Sequence, residues 1–282
     1  MSLSDNKYLA SHYSHIYVEE GAYDYPLTQN ILNHFRNSTV ITIKHYKDMF
    51  NRSKQDFVLQ KNAQALILAV NKGELIYPGA RFCQSFGNSH FYYTSNIMNC
   101  IYDCEYCYLQ GMYPSGNMVI FVNIDDYFTV ISEKLNNHKL PNVIFAWTLS
   151  PEAITKYEHF APSLDMRIRA IKNALDLGCI VRLCFDPMIH IPDYQKVYSD
   201  FYNKVFEEID ASKVFDVSIG VFRISADYLK SMRRKRHCAI TAYPYENVKG
   251  ICSYESKKSD EMLDFARLEL TKYINSDKIY SL

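Results

Sequence analysis

Several absences bound the reading of this 282-residue chain. No segment approaches the roughly 18 consecutive apolar residues that a membrane-spanning helix needs, so no membrane partner is expected. The polar start MSLSDNKYLASHYSH lacks the apolar region of a signal peptide, which makes the cytoplasm the expected location. Charge of one sign is missing as well. The 31 Lys and Arg balance 31 Asp and Glu, so the field of the whole molecule offers nothing to a nucleic acid and any basic footprint must be local. No repeat at a fixed period and no low-complexity tract is present, which excludes solenoids and disordered linkers.

What is present is an ordinary globular composition, 48% hydrophobic and 22% charged, with length for one large domain and an N-terminal elaboration. Tyrosine is abundant at 24, a residue that packs its ring at half-buried positions while its hydroxyl reaches water or a partner. Eight cysteines without an export signal argue against a disulfide framework and leave metal binding, catalysis or core packing.

Residues 1–85 read as a small α+β region, with a helical pattern around Pro26 to Phe35 and apolar runs at Val40 to Ile43 and Ala65 to Val70. Over 86–282 short apolar runs alternate with amphipathic segments, the sequence form of repeated βα units. Candidate strands are His90 to Ser95, Met118 to Asn123, Val143 to Leu149, Ile180 to Phe185 and Val214 to Val221. Asp125 to Leu135, Leu164 to Leu177 and Tyr194 to Ile209 carry helical spacing, and Gly178 stands where a C-cap is expected. The predicted fold is α/β, a partial TIM-type (β/α) barrel shortened to about five strands, with a C-terminal helix. In such folds chemistry sits at the carboxyl ends of the strands.

The segment Cys100-Ile-Tyr-Asp-Cys104-Glu-Tyr-Cys107 places three soft thiolate ligands within eight residues. Iron-sulfur clusters usually take four cysteines, so three would leave one iron of a 4Fe-4S cluster open to a ligand such as S-adenosylmethionine. The cofactor then supplies the difficult chemistry, an electron that cleaves the sulfonium to a 5'-deoxyadenosyl radical, while the protein supplies position and exclusion of solvent. A zinc site completed by Cys83 or His90 is the alternative. Cys179 and Cys184, in or beside an apolar strand, read as core packing; Cys238 and Cys252 suggest no role. The run Arg233, Arg234, Lys235, Arg236, His237 is either a solvated helix end or a local phosphate-binding surface.

Phe91 to Gln110 (FYYTSNIMNCIYDCEYCYLQ) closely resembles the cluster loop of spore photoproduct lyases. Val119 to Asp126 (VIFVNIDD), Tyr157 to Ala170 (YEHFAPSLDMRIRA), Cys184 to Met188 (CFDPM) and Val217 to Arg223 (VSIGVFR) extend the likeness over roughly residues 15 to 275. The resemblance implies a radical S-adenosylmethionine lyase that repairs the thymine dimer 5-thyminyl-5,6-dihydrothymine in UV-damaged DNA, reduced by a flavodoxin or ferredoxin. It implies Cys100, Cys104 and Cys107 as cluster ligands, Tyr106 against S-adenosylmethionine, and Tyr106 and Tyr108 as hydrogen-relay tyrosines. Thr148 and Ser150, in the TLS segment, and Arg223 become cofactor contacts. Two departures stand out. No cysteine lies between Cys107 and Cys179, where the family carries its hydrogen donor, and the interval around 136–142 is short. Hydrogen return would then fall to Tyr108, to Cys184 or to nothing. A radical enzyme with another substrate, or a shortened cluster-binding member without turnover, are the competing readings.

Overall fold

The run Leu66-Ile-Leu-Ala69 has no exposed side chain, the pattern of a strand covered on both faces. It centres the first of two parallel sheets in the computed structural model, which describes residues 13–79, 91–138 and 144–282. One unit comprises the described residues of Met1–Asp103, Cys107–Pro141 and Arg234–Arg236; the other comprises those of Cys104–Tyr106, Asn142–Arg233 and His237–Leu282.

In the first unit the chain runs through β1 (His15–Glu19), α1 (Pro26–His34), β2 (Thr39–Ile43), α2 (Phe57–Asn62), β3 (Leu66–Ala69), β4 (Ile97–Met98), β5 (Met118–Phe121) and α3 (Ile124–His138). The strand order is β2-β1-β3-β5-β4, parallel except for β4. This corrects the grouping drawn from sequence. Met118–Phe121 was expected among the later strands; it pairs with Leu66–Ala69, because two wholly apolar runs bury each other's edges. The strand expected at His90 to Ser95 is only Tyr92–Tyr93, antiparallel to Tyr77–Pro78 with the two outer rings stacked at 5.2 Å. Cys83, His90 and Val143 lie outside the described residues.

The second unit holds β6 (Ile144–Thr148), α4 (Leu164–Asp176), β7 (Ile180–Met188), α5 (Tyr194–Glu208), β8 (Asp216–Val221), β9 (Arg223–Ser225), α6 (Ala226–Lys235, which ends in the first unit), β10 (Glu246–Val248), β11 (Ile251–Ser253), α7 (Ser256–Leu270) and β12 (Ile279–Ser281). Its main sheet, β12-β8-β7-β6, is parallel throughout. Strand alternation divides its side chains. Val181, Leu183, Phe185, Val217, Ile219 and Val221 are buried in one core with residues of α4, α5 and α7, and Phe185 meets the rings of Phe201 and Tyr202 at 5.6 and 5.1 Å. Each fully buried side chain of this size contributes about 1.5–3 kcal/mol. The opposite face is polar: Thr148, Cys184 and Ser218 are register neighbours, as are Arg182 and Asp216.

Helix α4 begins at Ser163, whose hydroxyl accepts from the Met166 N–H at 3.3 Å, and Gly178 follows its end with φ +76°, the left-handed conformation its position predicts. Ser163→Ala is expected to lower stability by about 1 kcal/mol in urea denaturation.

Candidate functional site

The cysteine segment is entered through Asn99, which takes the left-handed conformation (φ +69°) that asparagine tolerates better than most residues. Its buried amide donates to the carbonyls of Ser115 and Asn117 at 2.8 and 3.0 Å, and its side-chain oxygen accepts the Cys100 N–H at 2.9 Å. Cys100 Sγ in turn accepts the Tyr102 N–H at 3.4 Å. Burial pushes the Cys107 thiol up, opposed by a bond from the Leu109 backbone and by the nearby Lys61 charge. Backbone N–H groups two residues on therefore face both sulfurs.

This segment is held by residues that sequence reasoning missed. Phe57, Gln60, Lys61 and Gln64 follow the spacing i, i+3, i+4, i+7 along α2 and just past its end, one helical face. Gln60 Oε1 accepts the Gly116 N–H at 2.8 Å; Gln64 donates to the carbonyls of Cys100 and Gly116 at 3.0 and 2.7 Å. The buried Lys61 ammonium donates to the carbonyls of Cys100 and Tyr102, the latter at 3.1 Å. Gly116 must be glycine here, since a Cβ would lie 2.5 Å from the Phe57 carbonyl oxygen.

The basic run serves the same segment. Lys235 donates to the carbonyls of Gln110 and Tyr113 at 2.5 and 2.7 Å, and Arg236 pairs with buried Asp103 at 2.6 Å. In the second unit Arg233 donates to the carbonyls of Thr241 and Tyr243 at 2.7 and 2.8 Å. Of the two readings of this run, solvated helix end or phosphate surface, neither covers it whole: Arg233, Lys235 and Arg236 hold the protein's own backbone or Asp103, while Arg233, Arg234 and His237 are exposed.

The expected site residues fall in both units. Tyr108 is 53% exposed in the first, at the turn opening Leu109–Met112. In the second, Tyr106 is buried and its hydroxyl donates to Glu158, whose other oxygen takes Arg167. Burial and the Glu158 charge push the phenol far above its ordinary range, while a bond to Ser150 opposes them. Tyr106 and Ser150 are therefore brought together. Arg167 also donates to the carbonyls of Pro162 at 2.9 Å and Thr148 at 3.4 Å, tying the end of β6 to the same carboxylate, while the Thr148 residue is exposed. Glu158 and Arg167 were legible only as members of the segment Tyr157 to Ala170.

Toward the carboxyl ends of β7 and β8, Ser218 donates to Asp186 at 2.8 Å, and Arg223 Nη1 lies 3.3 Å from where a Cβ on Gly220 would stand. Burial raises the Asp186 carboxyl, opposed by Ser218 and by the Arg223 charge. Arg223 itself is exposed. Burial pushes the Cys184 thiol up to about 11. Cys184 therefore keeps its proton at neutral pH, and its alkylation by iodoacetamide is expected to stay slow through pH 9 and to rise about tenfold per pH unit until the pH approaches 11, measured by peptide mass spectrometry.

Among the described residues no group of three or more His, Cys, Asp or Glu side chains converges as a metal site. The donor set nevertheless fits a thiolate-bound cluster, with three cysteines within eight residues and backbone N–H groups already placed on two of the sulfurs.

No family model matches the chain, and no curated protein does. Solved structures do. A cysteine-to-alanine mutant of spore photoproduct lyase superposes with a TM-score of 0.75 at 14% identity, over 95% of this chain and 98% of that one. The chain has the spore photoproduct lyase fold. A second such structure, a double mutant with bound AdoMet and dinucleoside spore photoproduct, gives 0.74 at 14% identity over the same shares. A third, spore photoproduct lyase complexed with the dinucleoside spore photoproduct, gives 0.72 at 15% identity, again over 95% and 98%. The resemblance read from the cysteine loop thus extends to spore photoproduct lyase architecture over nearly the whole chain.

Proposed function

We propose that this chain is a radical S-adenosylmethionine lyase that repairs 5-thyminyl-5,6-dihydrothymine in UV-damaged DNA to two thymines. One observation carries the reading: a fold shared over 95% of the chain with an enzyme solved with AdoMet and the dinucleoside lesion, in a chain that also carries the Cys100, Cys104, Cys107 spacing. The three thiolates would hold a 4Fe-4S cluster, which when bound supplies the electron that cleaves S-adenosylmethionine. A flavodoxin or ferredoxin of the cytoplasm would deliver that electron; no described helix is long and apolar enough to cross a membrane.

The chain's own residues bind and orient. Thr148 and Ser150 offer hydroxyls at the end of β6, and Arg223 offers a planar fork suited to a carboxylate. Tyr106 is best placed as a positioning residue, since its hydroxyl is engaged by Glu158. Hydrogen return falls to exposed Tyr108 or to protonated Cys184.

A second reading, a radical enzyme of this fold with another substrate, is favoured by the internal bonds of Arg233, Lys235 and Arg236, which engage three cations of the basic run with the protein's own groups. Anaerobic reconstitution followed by assay for 5'-deoxyadenosine tests the chemistry: a full cluster without cleavage sinks the enzyme reading. DNA containing the spore photoproduct then separates the two substrates. Recovery of thymine supports repair, and cleavage of S-adenosylmethionine without thymine supports the second reading.

A further inference from the structure

Two ammonium groups grip the cysteine segment from within the first unit. Lys61 is buried at 8% exposure and donates to the carbonyls of Cys100 and Tyr102. Lys235 is half-buried and donates to the carbonyls of Gln110 and Tyr113. Both stand near the face of one ring, Phe57, at 5.8 Å and 4.8 Å from its centroid, and that ring is itself 2% exposed. Taking an ammonium out of water is costly, and neither lysine needs burial to build a sheet or a helix. What they share is the backbone from Cys100 to Tyr113.

We infer that Lys61 and Lys235 are positioning residues of the cysteine segment: they fix its carbonyls and place two positive charges against its backbone, so that a cluster bound there is reduced at a higher potential. The inference rests on the cluster reading above and goes beyond it by naming what tunes the cluster. The sign follows from charge. Reduction adds one negative charge to the cluster, and a nearby fixed cation in a low-dielectric surrounding stabilises the more negative state. Hydrogen bonds that hold the ligand backbone act in the same way as outer-shell bonds at other metal sites, orienting the ligands before the metal arrives.

The test uses the full chain, reconstituted anaerobically, with iron per chain and EPR-monitored redox titration as readouts. Lys61→Gln keeps a donor and removes the charge; its midpoint potential is expected to fall below that of the wild type, and Lys61→Arg is expected to restore most of the difference. Lys235→Gln, at a less buried position, is expected to shift the potential downward by a smaller amount. A merely structural role would not move the potential of chains that carry full iron. Full iron with wild-type potential in both Gln variants overturns the electrostatic part, and Lys235→Gln decides it alone if Lys61→Gln does not fold. The positioning part has its own readout in the metal-free chain: amide hydrogen exchange over residues 100–113 is expected to speed up in Lys235→Gln, and unchanged exchange overturns it. A wild-type chain that binds no iron through its cysteines counts against the cluster reading alone, since the exchange result stands apart from it.

Discussion

Cys104→Ala is expected to yield a folded chain that takes up little iron on reconstitution, lacks the broad visible absorbance of a 4Fe-4S cluster, and forms 5'-deoxyadenosine only at background. The magnitude follows from ligand count. Three thiolates already leave one iron without a protein ligand, and removing one leaves two to hold four irons. Among the described residues no group of three or more His, Cys, Asp or Glu side chains converges to offer a replacement site. The fold should survive, since Cys104 is only part-buried and belongs to neither main sheet. Cys184→Ala is the matched control. It removes another part-buried thiol, on a strand of the main sheet, and is expected to leave iron content unchanged. Full iron and absorbance in Cys104→Ala would refute the ligand assignment, while loss in both variants would point to a general failure of the fold.

The elements that could be read from sequence are those whose environment is written in their own residues. Ile180 to Phe185 is apolar enough to announce a buried strand, and the apolar spacing of Leu164 to Leu177 with Gly178 after it announces a helix and its end. Partner choice was less legible, because an apolar run states that it needs neighbours and not which ones. Met118–Phe121 could have paired with either set of strands; its pairing with Leu66–Ala69 is a tertiary fact. The strand Ile279–Ser281 is too short to carry a period at all.

In the candidate site the same division holds. Cysteine spacing is local and was visible at once. Lys61 was not, because a lysine on a short helix reads as a solvated charge, and its burial depends on carbonyls 39 and 41 residues away. The basic run at Arg233 to His237 misled for the same reason. Charge runs are surface features by default, and the bonds of Lys235 to Gln110 and Tyr113 span 125 and 122 residues. Glu158 and Arg167 are nine residues apart and still escaped notice, since nothing local says that a buried tyrosine hydroxyl will claim the carboxylate between them.

Asp216→Ala is expected to destabilise the protein by about 3–5 kcal/mol, a large share of the roughly 5–15 kcal/mol that holds a typical domain folded. Asp216 and Arg182 are register partners on adjacent strands, at 2% and 6% exposure, and both carboxylate oxygens accept from the guanidinium, one from Nε and one from Nη2. Burial alone would lower the affinity of Arg182 for its proton; the hydrogen bonds and charge of Asp216 more than reverse this, and the Tyr280 ring lies under the guanidinium at 5.8 Å. Removing the carboxylate leaves a buried cation facing a void, which is why breaking such a pair costs more than the pair contributes. Replacing both residues with apolar ones of similar volume, Arg182→Met with Asp216→Leu, is expected to restore most of the loss. Urea denaturation of the two singles and the double isolates the coupling, and a single-variant loss below about 1 kcal/mol would show the pair to be solvent-screened like a surface salt bridge. The pair sits two residues along β7 and β8 from Cys184 and Ser218, on the same polar face. Because a neutral, isosteric core can replace it, the double variant keeps the sheet while removing two charges from that face. Turnover retained in the double variant would assign Arg182 and Asp216 to folding alone, and the polar chemistry of the sheet to the end that carries Thr148, Cys184, Asp186 and Arg223.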